Sequence, residues 1–439
     1  MKVMKCILNL FLFFKVVSLG FADVVPVPSF EISKESILKH LSLDNITLDL
    51  PALYVFGDNF VDAGNNNYLN LPRIQSNYSP YGIDFDGKPT GRYTNGRTVA
   101  DFIAQFTGLP FPPPVLSLSK DAKRVPQTGL NYATGFTGIC RLYDKPFEPM
   151  PALKEQVELF EQTTIKLRSQ FGSEESFSKY MSGSLFFINT ISFDLDHAWY
   201  GLGYLYHDYY HHQLIIKDLS EHLQRLYQLG ARKIVVNNAF PLGCQPNLNL
   251  RDNCNEVPNE RAMLFNQMLS NLTKDLQSTL PKSQFVLVDL YKIFEDVFKS
   301  PASYVERCVE NVEPCKDRSS NVFFDGFNPT ESMHFIWARR LLKDSSTQFS
   351  PLKEQLPPLL LLLVPAGGEQ HRHLHQSKSL VKLVLNRFFR TDPVIENDLL
   401  DSGFTEMKSM IARFLISEHW ITELIIYLNS ELLLLLVTV

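Results

Sequence analysis

The sequence predicts an α/β fold: a three-layer α/β/α domain around a central parallel sheet, followed by an atypical C-terminal tail. Three observations point there. Short apolar, β-prone stretches recur at 52–56, 129–133, 184–189, 233–237 and 284–289. Longer stretches with helical spacing lie at 99–106, 152–171, 213–229, 259–280 and 330–342, and strands alternating with longer helices require a parallel sheet covered on both faces. The chain has 439 residues, 45% hydrophobic and 20% charged, an ordinary globular composition large enough for one sizeable α/β domain.

In chain order, the first feature is a secretory signal over 1–22. Lys2 and Lys5 precede an apolar run over 6–22, with small Gly20 and Ala22 placed for cleavage and Lys15 interrupting the run. The run is too short for a bilayer span and gives way to a polar, Pro-rich stretch at 23–29. No element is assigned to the leader over 23–48; the domain is expected over 49–350 and the tail over 351–439.

Secretion permits disulfides, so the six cysteines gain meaning. Cys6 leaves with the signal. Cys244 with Cys254, and Cys308 with Cys315, are close in sequence within polar, loop-like segments and are the expected pairs. Cys140 is left over and reads as a small buried hydrophobe. Sequons at Asn45, Asn77 and Asn271 fit the same extracellular route. A formal net charge of −5 is small for this length and argues against nucleic acid as a main partner, which needs a basic face.

The first strand runs through Leu53-Tyr54-Val55-Phe56-Gly57-Asp58 and delivers Asn59 to the C-terminal edge of the sheet, where open α/β folds place their chemistry. Beyond it come Asp62 and Gly64-Asn65-Asn66-Asn67, then Pro80-Tyr81-Gly82-Ile83-Asp84-Phe85, then Gly91-Arg92-Tyr93-Thr94-Asn95-Gly96-Arg97. These stretches resemble the plant GDSL esterase/lipase family of SGNH hydrolases, whose blocks read FGDS-x-x-D-x-GNNN, PYGIDF and PTGR[FY]-x-NGR. The resemblance implies the flavodoxin-like SGNH-hydrolase fold and hydrolysis of acyl, acetyl or lipid-type esters. It also implies an ester or lipid-like small molecule as ligand, no cofactor, and an extracellular or secretory location. It ends near 342–349.

An ester hydrolase of this kind needs a serine oxygen, a histidine to take its proton, an acid to orient the histidine, and donors for the oxyanion. By the resemblance, the nucleophile position is Asn59, whose carboxamide has no removable proton to lose and forms no acyl-enzyme. The oxyanion glycine is kept as Gly135, but the glycine after it has become Phe136. In the third block Ile191 stands for a glycine and Phe193 for the oxyanion asparagine, and a phenyl ring donates nothing; one such donor contributes about a hundred- to a thousandfold in rate. In the last block the acid is kept as Asp325, while the histidine has become Asn328, which does not titrate near neutral pH.

Three motifs have thus lost their working residue while Gly57, Asp58, Asp62, Gly64, Pro329 and Thr330 survive around them. The expectation is a catalytically impaired pseudoenzyme with a binding or other non-hydrolytic role. Two alternatives stay open: weak ester hydrolysis through a non-standard set, and a decayed gene copy. Candidates for a relocated set are His334, Ser332, and His197, His207, His211 and His212 around an aromatic-rich stretch. The substitutions also have purely structural readings. Asn328-Pro329-Thr330-Glu331 looks like a helix start with Asn328 as N-cap, Asn59 followed by Asp62 has the same form, and Phe193 with Ile191 adds apolar volume at the sheet edge.

The tail holds leucine runs at 359–363 and 432–436, too short to span a bilayer, and the longer window 421–439 contains Glu423, Asn429 and Glu431, so no membrane span is expected. It reads either as an appended helical segment or as an artefact of gene prediction. His371, His373 and His375 alternate, but Gly-Gly-Glu-Gln and Gln-Ser-Lys-Ser flank them as in a solvated loop, so no metal is expected.

Overall fold

Strand β1, Leu53–Gly57, is buried at every position, as is β3, Leu185–Asn189, and both are nearly continuous apolar runs. Such runs suit strands covered on both faces. In a computed structural model describing residues 27–41, 49–119, 121–139, 151–190, 194–195, 208–248, 254–299, 304–310 and 313–345, they form the middle of a five-stranded sheet. Its other strands are β2 (Gly129–Asn131), β4 (Lys233–Asn237) and β5 (Gln284–Val288). The order is β2-β1-β3-β4-β5 and every pairing is parallel.

That order is the flavodoxin-like one, and it has a functional consequence. The chain leaves β1 toward β2 on one side and returns to β3 on the other, so a crevice opens beyond the C-terminal ends of β1 and β3. Asn59 follows β1 directly. Thr190 follows β3 directly.

Eight α-helices cover the sheet among the described residues: α1 (Lys34–His40), α2 (Val99–Thr107), α3 (Leu153–Arg168), α4 (Glu174–Gly183), α5 (Asp208–Gln228), α6 (Glu256–Thr279), α7 (Leu290–Phe298) and α8 (Glu331–Ser345). Alternation along β3 sends Phe186 to one face and Phe187 to the other. Phe186 meets Phe160 of α3 at a ring distance of 5.5 Å and Tyr54 of β1 at 5.2 Å, while Phe187 meets Trp337 of α8 at 6.0 Å. Helices α3, α5 and α6 pack side by side on the first face, and α1, α2 and α8 in series on the second.

The helix expected over 152–171 is α3, which ends at Arg168, and a further, unexpected helix, α4, starts after Ser173, whose hydroxyl accepts from the Ser176 N–H at 3.1 Å. α7 starts immediately after β5, with Asp289 accepting from the Lys292 N–H at 3.1 Å. The leader has its own helix, α1, which buries Ile37 and Leu38 in the core. Pro28 lends its carbonyl to the Arg97 guanidinium at 2.6 Å.

Beyond β5 lie two small ladders: β6 (Tyr304–Arg307) with β9 (Asn321–Phe323), parallel, and β7 (Val309–Glu310) with β8 (Glu313–Pro314), antiparallel. Disulfides join Cys244 to Cys254 and Cys308 to Cys315. Asn77 and Asn271 are exposed. Among the described residues no helix is long and apolar enough to cross a membrane. The signal segment, Asn45, Cys140, Ile191, Phe193, His197, His207, the tail and its three alternating histidines lie outside the described residues.

Candidate functional site

Gly57 ends β1 with φ of 148°, and a Cβ there would lie 1.8 Å from the Asn189 carbonyl oxygen. Only glycine lets the chain turn this close to β3. The Asp58 N–H donates to that same carbonyl at 2.9 Å, and Asp58 Oδ1 accepts from the Phe60 N–H at 3.1 Å and from Asn189 Nδ2 at 3.0 Å. With Asp58 pinned inward, its neighbour Asn59 faces the crevice.

Asn59 Nδ2 donates to Asn328 Oδ1. Asn328 Nδ2 in turn donates to Asp325 Oδ2 at 2.8 Å. Asp325 Oδ1 accepts from the backbone N–H groups of Phe327 at 2.8 Å and Asn328 at 2.7 Å, and the Tyr81 hydroxyl donates to Oδ2 at 2.7 Å. The residues at the nucleophile, base and acid positions therefore form one hydrogen-bonded chain, although the nucleophile and base positions lie 269 residues apart in sequence. The chain has the connectivity of a serine–histidine–aspartate triad but contains only two carboxamides and a carboxylate. Neither carboxamide can lose a proton to become a nucleophile or take one up as a base near neutral pH.

The expected capping roles of the two asparagines are not realised. α8 starts at Glu331 with Thr330 as its cap, the Thr330 hydroxyl accepting from the Met333 N–H at 3.3 Å and Asn95 Oδ1 accepting from the Glu331 N–H at 2.9 Å. The Asn328 amide instead bridges Asn59 and Asp325. No helix follows Asn59: the chain turns, and the next regular piece is the 3-10 turn Asn65–Tyr68. Local sequence offered a cap at both places, and a tertiary partner took the side chain.

Gly135 is also redirected. Its N–H donates to Asp62 Oδ2 at 3.0 Å, while Asp62 Oδ1 accepts from Gly64 and Asn65, both at 2.7 Å. Burial pushes the Asp62 carboxyl up to about 6, against the pull of those backbone donors. A Cβ at Gly135 would meet the Tyr93 ring at 2.4 Å, so this glycine admits the ring and braces the loop rather than presenting a donor to the crevice. Phe136 holds φ of 60°, a left-handed conformation that favours glycine and is strained for an aromatic residue by roughly 1–3 kcal/mol. Its ring stands edge-on to Tyr93 at 5.5 Å. Both rings wall a cavity of about 330 Å³ that Asp325 and Asn328 also line. Tyr81, the fourth donor to Asp325, lines it too and is kept protonated by burial and by the adjoining carboxylate. Sequence reasoning missed Tyr81 and Tyr93; both sit inside the two conserved-looking blocks that carried the resemblance.

His334 is no substitute base. It lies buried on α8 between Trp337, stacked at 5.9 Å, and Phe60, edge-on at 6.4 Å, and burial lowers its pKa to about 3. His211 and His212 are buried on α5, with His212 edge-on to Phe265 at 5.9 Å. The His334 shift has a sign that can be tested. The folded state keeps this imidazole neutral while the unfolded chain binds a proton below about 6.5, so stability is fully present above that pH and falls as pH drops toward 3. The expected loss is about 2 kcal/mol between pH 6.5 and 5 from this group alone. Urea unfolding across that range should show the slope, and His334→Leu should flatten it; an unchanged slope would refute the assignment.

The family model described as GDSL-like Lipase/Acylhydrolase matches residues 53–341. The chain belongs to that family. The GDSL-like chain is 36% identical over 335 residues to "GDSL esterase/lipase 7" of Arabidopsis thaliana, covering 69% of this chain and 90% of the relative. It is 35% identical over 333 residues to "GDSL esterase/lipase At4g16230" of the same plant, covering 69% and 89%. The five-stranded parallel sheet in the order β2-β1-β3-β4-β5 is the fold expected of a GDSL-like, SGNH-type protein.

Proposed function

We propose that this chain is a secreted GDSL esterase/lipase-like protein that does not hydrolyse esters by the serine route and instead binds a small ester- or lipid-like molecule in the crevice beyond β1 and β3. The mature protein would begin after a signal peptide at 1–22, carry the leader and the domain over 49–350, and be glycosylated at the exposed Asn77 and Asn271. The observation that supports this reading most is the closed hydrogen-bonded chain Asn59, Asn328 and Asp325. Both side chains that should do chemistry are engaged with each other and carry no titratable group. Phe193 at the oxyanion position and the inward-turned Gly135 N–H weigh the same way.

The test is turnover of p-nitrophenyl acetate and butyrate by purified protein, together with labelling by a fluorophosphonate probe. Wild-type turnover is expected to match a heat-denatured control, with no covalent adduct formed. Saturable turnover above that control, or a fluorophosphonate adduct on any serine, would end the non-hydrolytic reading.

A further inference from the structure

The cavity in front of Asp325 carries two cations that the hydrolase scheme does not use. Arg73 and Arg307 both line it, and among the described residues neither guanidinium is within ion-pair distance of a carboxylate. Elsewhere Arg92 binds Asp101 at 2.7 Å, Arg97 binds Glu331 at 2.7 Å and Arg318 binds Asp84 at 2.6 Å, while Arg124 and Arg232 donate to neutral oxygens.

Both unpaired arginines stand on anchored backbone. Arg73 is the middle residue of the 3-10 turn Pro72–Ile74, where the Ile74 carbonyl accepts from Asn66 Nδ2 at 3.3 Å and from the Tyr93 hydroxyl. Arg307 ends β6, registered against Phe323 of β9, and is followed by the disulfide-bonded Cys308. A planar guanidinium grips a planar anion through two parallel N–H groups, and the anchored backbone fixes where each side chain starts.

We infer that the cavity binds a small aromatic monocarboxylate, its carboxylate on Arg73 and Arg307 and its apolar body against Tyr81, Tyr93 and Phe136. The inference rests on the reading that the crevice binds rather than hydrolyses, and it takes a free carboxylate rather than an ester as the ligand. Three features select that class. Among the described lining residues, two guanidiniums and the carboxylate of Asp325 leave a single excess positive charge, which matches a monoanion and leaves a dianion under-neutralised. Asp325, on the same lining, repels a carboxylate, whereas the two arginines attract it. The volume, about 330 Å³, sits at the lower end for ligand sites and fits a ring with a short arm rather than a long acyl chain. The strained φ of 60° at Phe136 belongs to the same picture, since it is the backbone conformation that sets that ring on the cavity wall beside Tyr93.

The experiment is calorimetric titration at pH 7 with 3-phenylpropionate, its methyl ester and 2-phenylethyl phosphate, on the wild type and on Arg73→Gln, Arg307→Gln and the double variant. Both arginines are exposed, so the variants should melt at the wild-type temperature. The acid should bind at least about tenfold more tightly than its methyl ester, the preference expected when a carboxylate gains charge-assisted hydrogen bonds. Each single variant should weaken the acid and leave the ester unchanged, and the double variant should abolish the preference. Equal binding of acid and ester, acid binding insensitive to both arginines, tighter binding of the phosphate, or no saturable binding of the acid would each overturn the inference. Hydrolysis of the methyl ester during the titration is a separate outcome: it would sink the non-hydrolytic reading, while the arginine-dependent preference for the acid would still be read from the same data.

Discussion

Combining Asn59→Ser, Phe193→Asn and Asn328→His should raise p-nitrophenyl acetate turnover at least about a hundredfold over the wild type, because the wild-type hydrogen-bonded chain already sets the required spacing. In asparagine and in histidine the first side-chain nitrogen is the same number of bonds from Cβ. The Asn328→His imidazole can therefore keep the contact that Asn328 Nδ2 makes with Asp325 Oδ2 at 2.8 Å, with Nδ1–H as donor. Its Nε2 then reaches farther out than the Asn328 amide oxygen does. A serine oxygen sits one bond nearer the backbone than the Asn59 amide nitrogen, so the longer base and the shorter nucleophile compensate. Asp325 needs no adjustment, being held by two backbone N–H groups and Tyr81.

The single changes should each recover little, because a serine without a base and a base without a nucleophile are both idle; triad effects are strongly non-additive. Adding Phe136→Gly should raise the rate further by relieving the left-handed phenylalanine and opening the cavity. Rates are read by p-nitrophenol release, with fluorophosphonate labelling of the restored serine as an independent readout. If the triple variant labels and turns over no faster than wild type, the three losses are not what separates this chain from a working hydrolase.

Much of the sheet was legible because each central strand is a short apolar run bounded by glycine or polar residues. β4 falls on Lys233–Asn237 with both predicted bounds, β1 is shifted by one residue at each end, and the other strands differ by one or two residues at one end. Of the helices that escaped notice, α1 is a short seven-residue piece in the leader, and the other two have sequences that merge with a neighbour. α7 follows β5 through Asp289 alone, so the apolar residues of the two run together, and α4 lies only five residues beyond the end of α3. At the site, Asn59 and Asn328 could be placed by motif, but their mutual contact could not, since no local pattern reports on partners 269 residues apart. The same limit explains the capping error. An asparagine three residues before an acid reads locally as a helix start, and what decides is whether a tertiary partner competes for the amide; Asp325 and Asn59 did. Arg73 and Arg307 were invisible for a different reason: unpaired surface arginines acquire meaning only when the fold sets them around one cavity.

Asp101→Ala should destabilise the folded protein by about 3–5 kcal/mol, the usual consequence of breaking a buried ion pair by removing one partner. Arg92 reaches Asp101 through Nε at 2.7 Å and Nη2 at 2.8 Å, and both side chains are buried. Burial disfavours the guanidinium's charge, but Asp101 outweighs that and raises its pKa; burial likewise disfavours the carboxylate, but Arg92 and Thr98 hold it below the usual carboxylate range. Removing Asp101 leaves a buried cation with no counter-charge and also takes the cap from α2, where Asp101 Oδ2 accepts from the Thr98 N–H at 2.8 Å. For a domain of this size the melting temperature should fall by roughly 10 °C. Replacing the pair together, Arg92→Met with Asp101→Leu, should recover more than half of that loss, because no charge is stranded, while the lost cap keeps it below wild type. A shift under about 1 kcal/mol for Asp101→Ala would show that the pair is not the buried unit described. The consequence should also reach the cavity. Arg92 precedes Tyr93, donates to the Ala63 carbonyl at 3.4 Å and lies 4.9 Å over the Phe85 ring, so it ties the turn after β1 to the loop that supplies the cavity wall. Ligand binding in Asp101→Ala should therefore weaken at temperatures where the protein remains folded, whereas an equally destabilising change on the opposite face, such as Phe160→Ala beneath Tyr54 at 5.1 Å, should leave it intact.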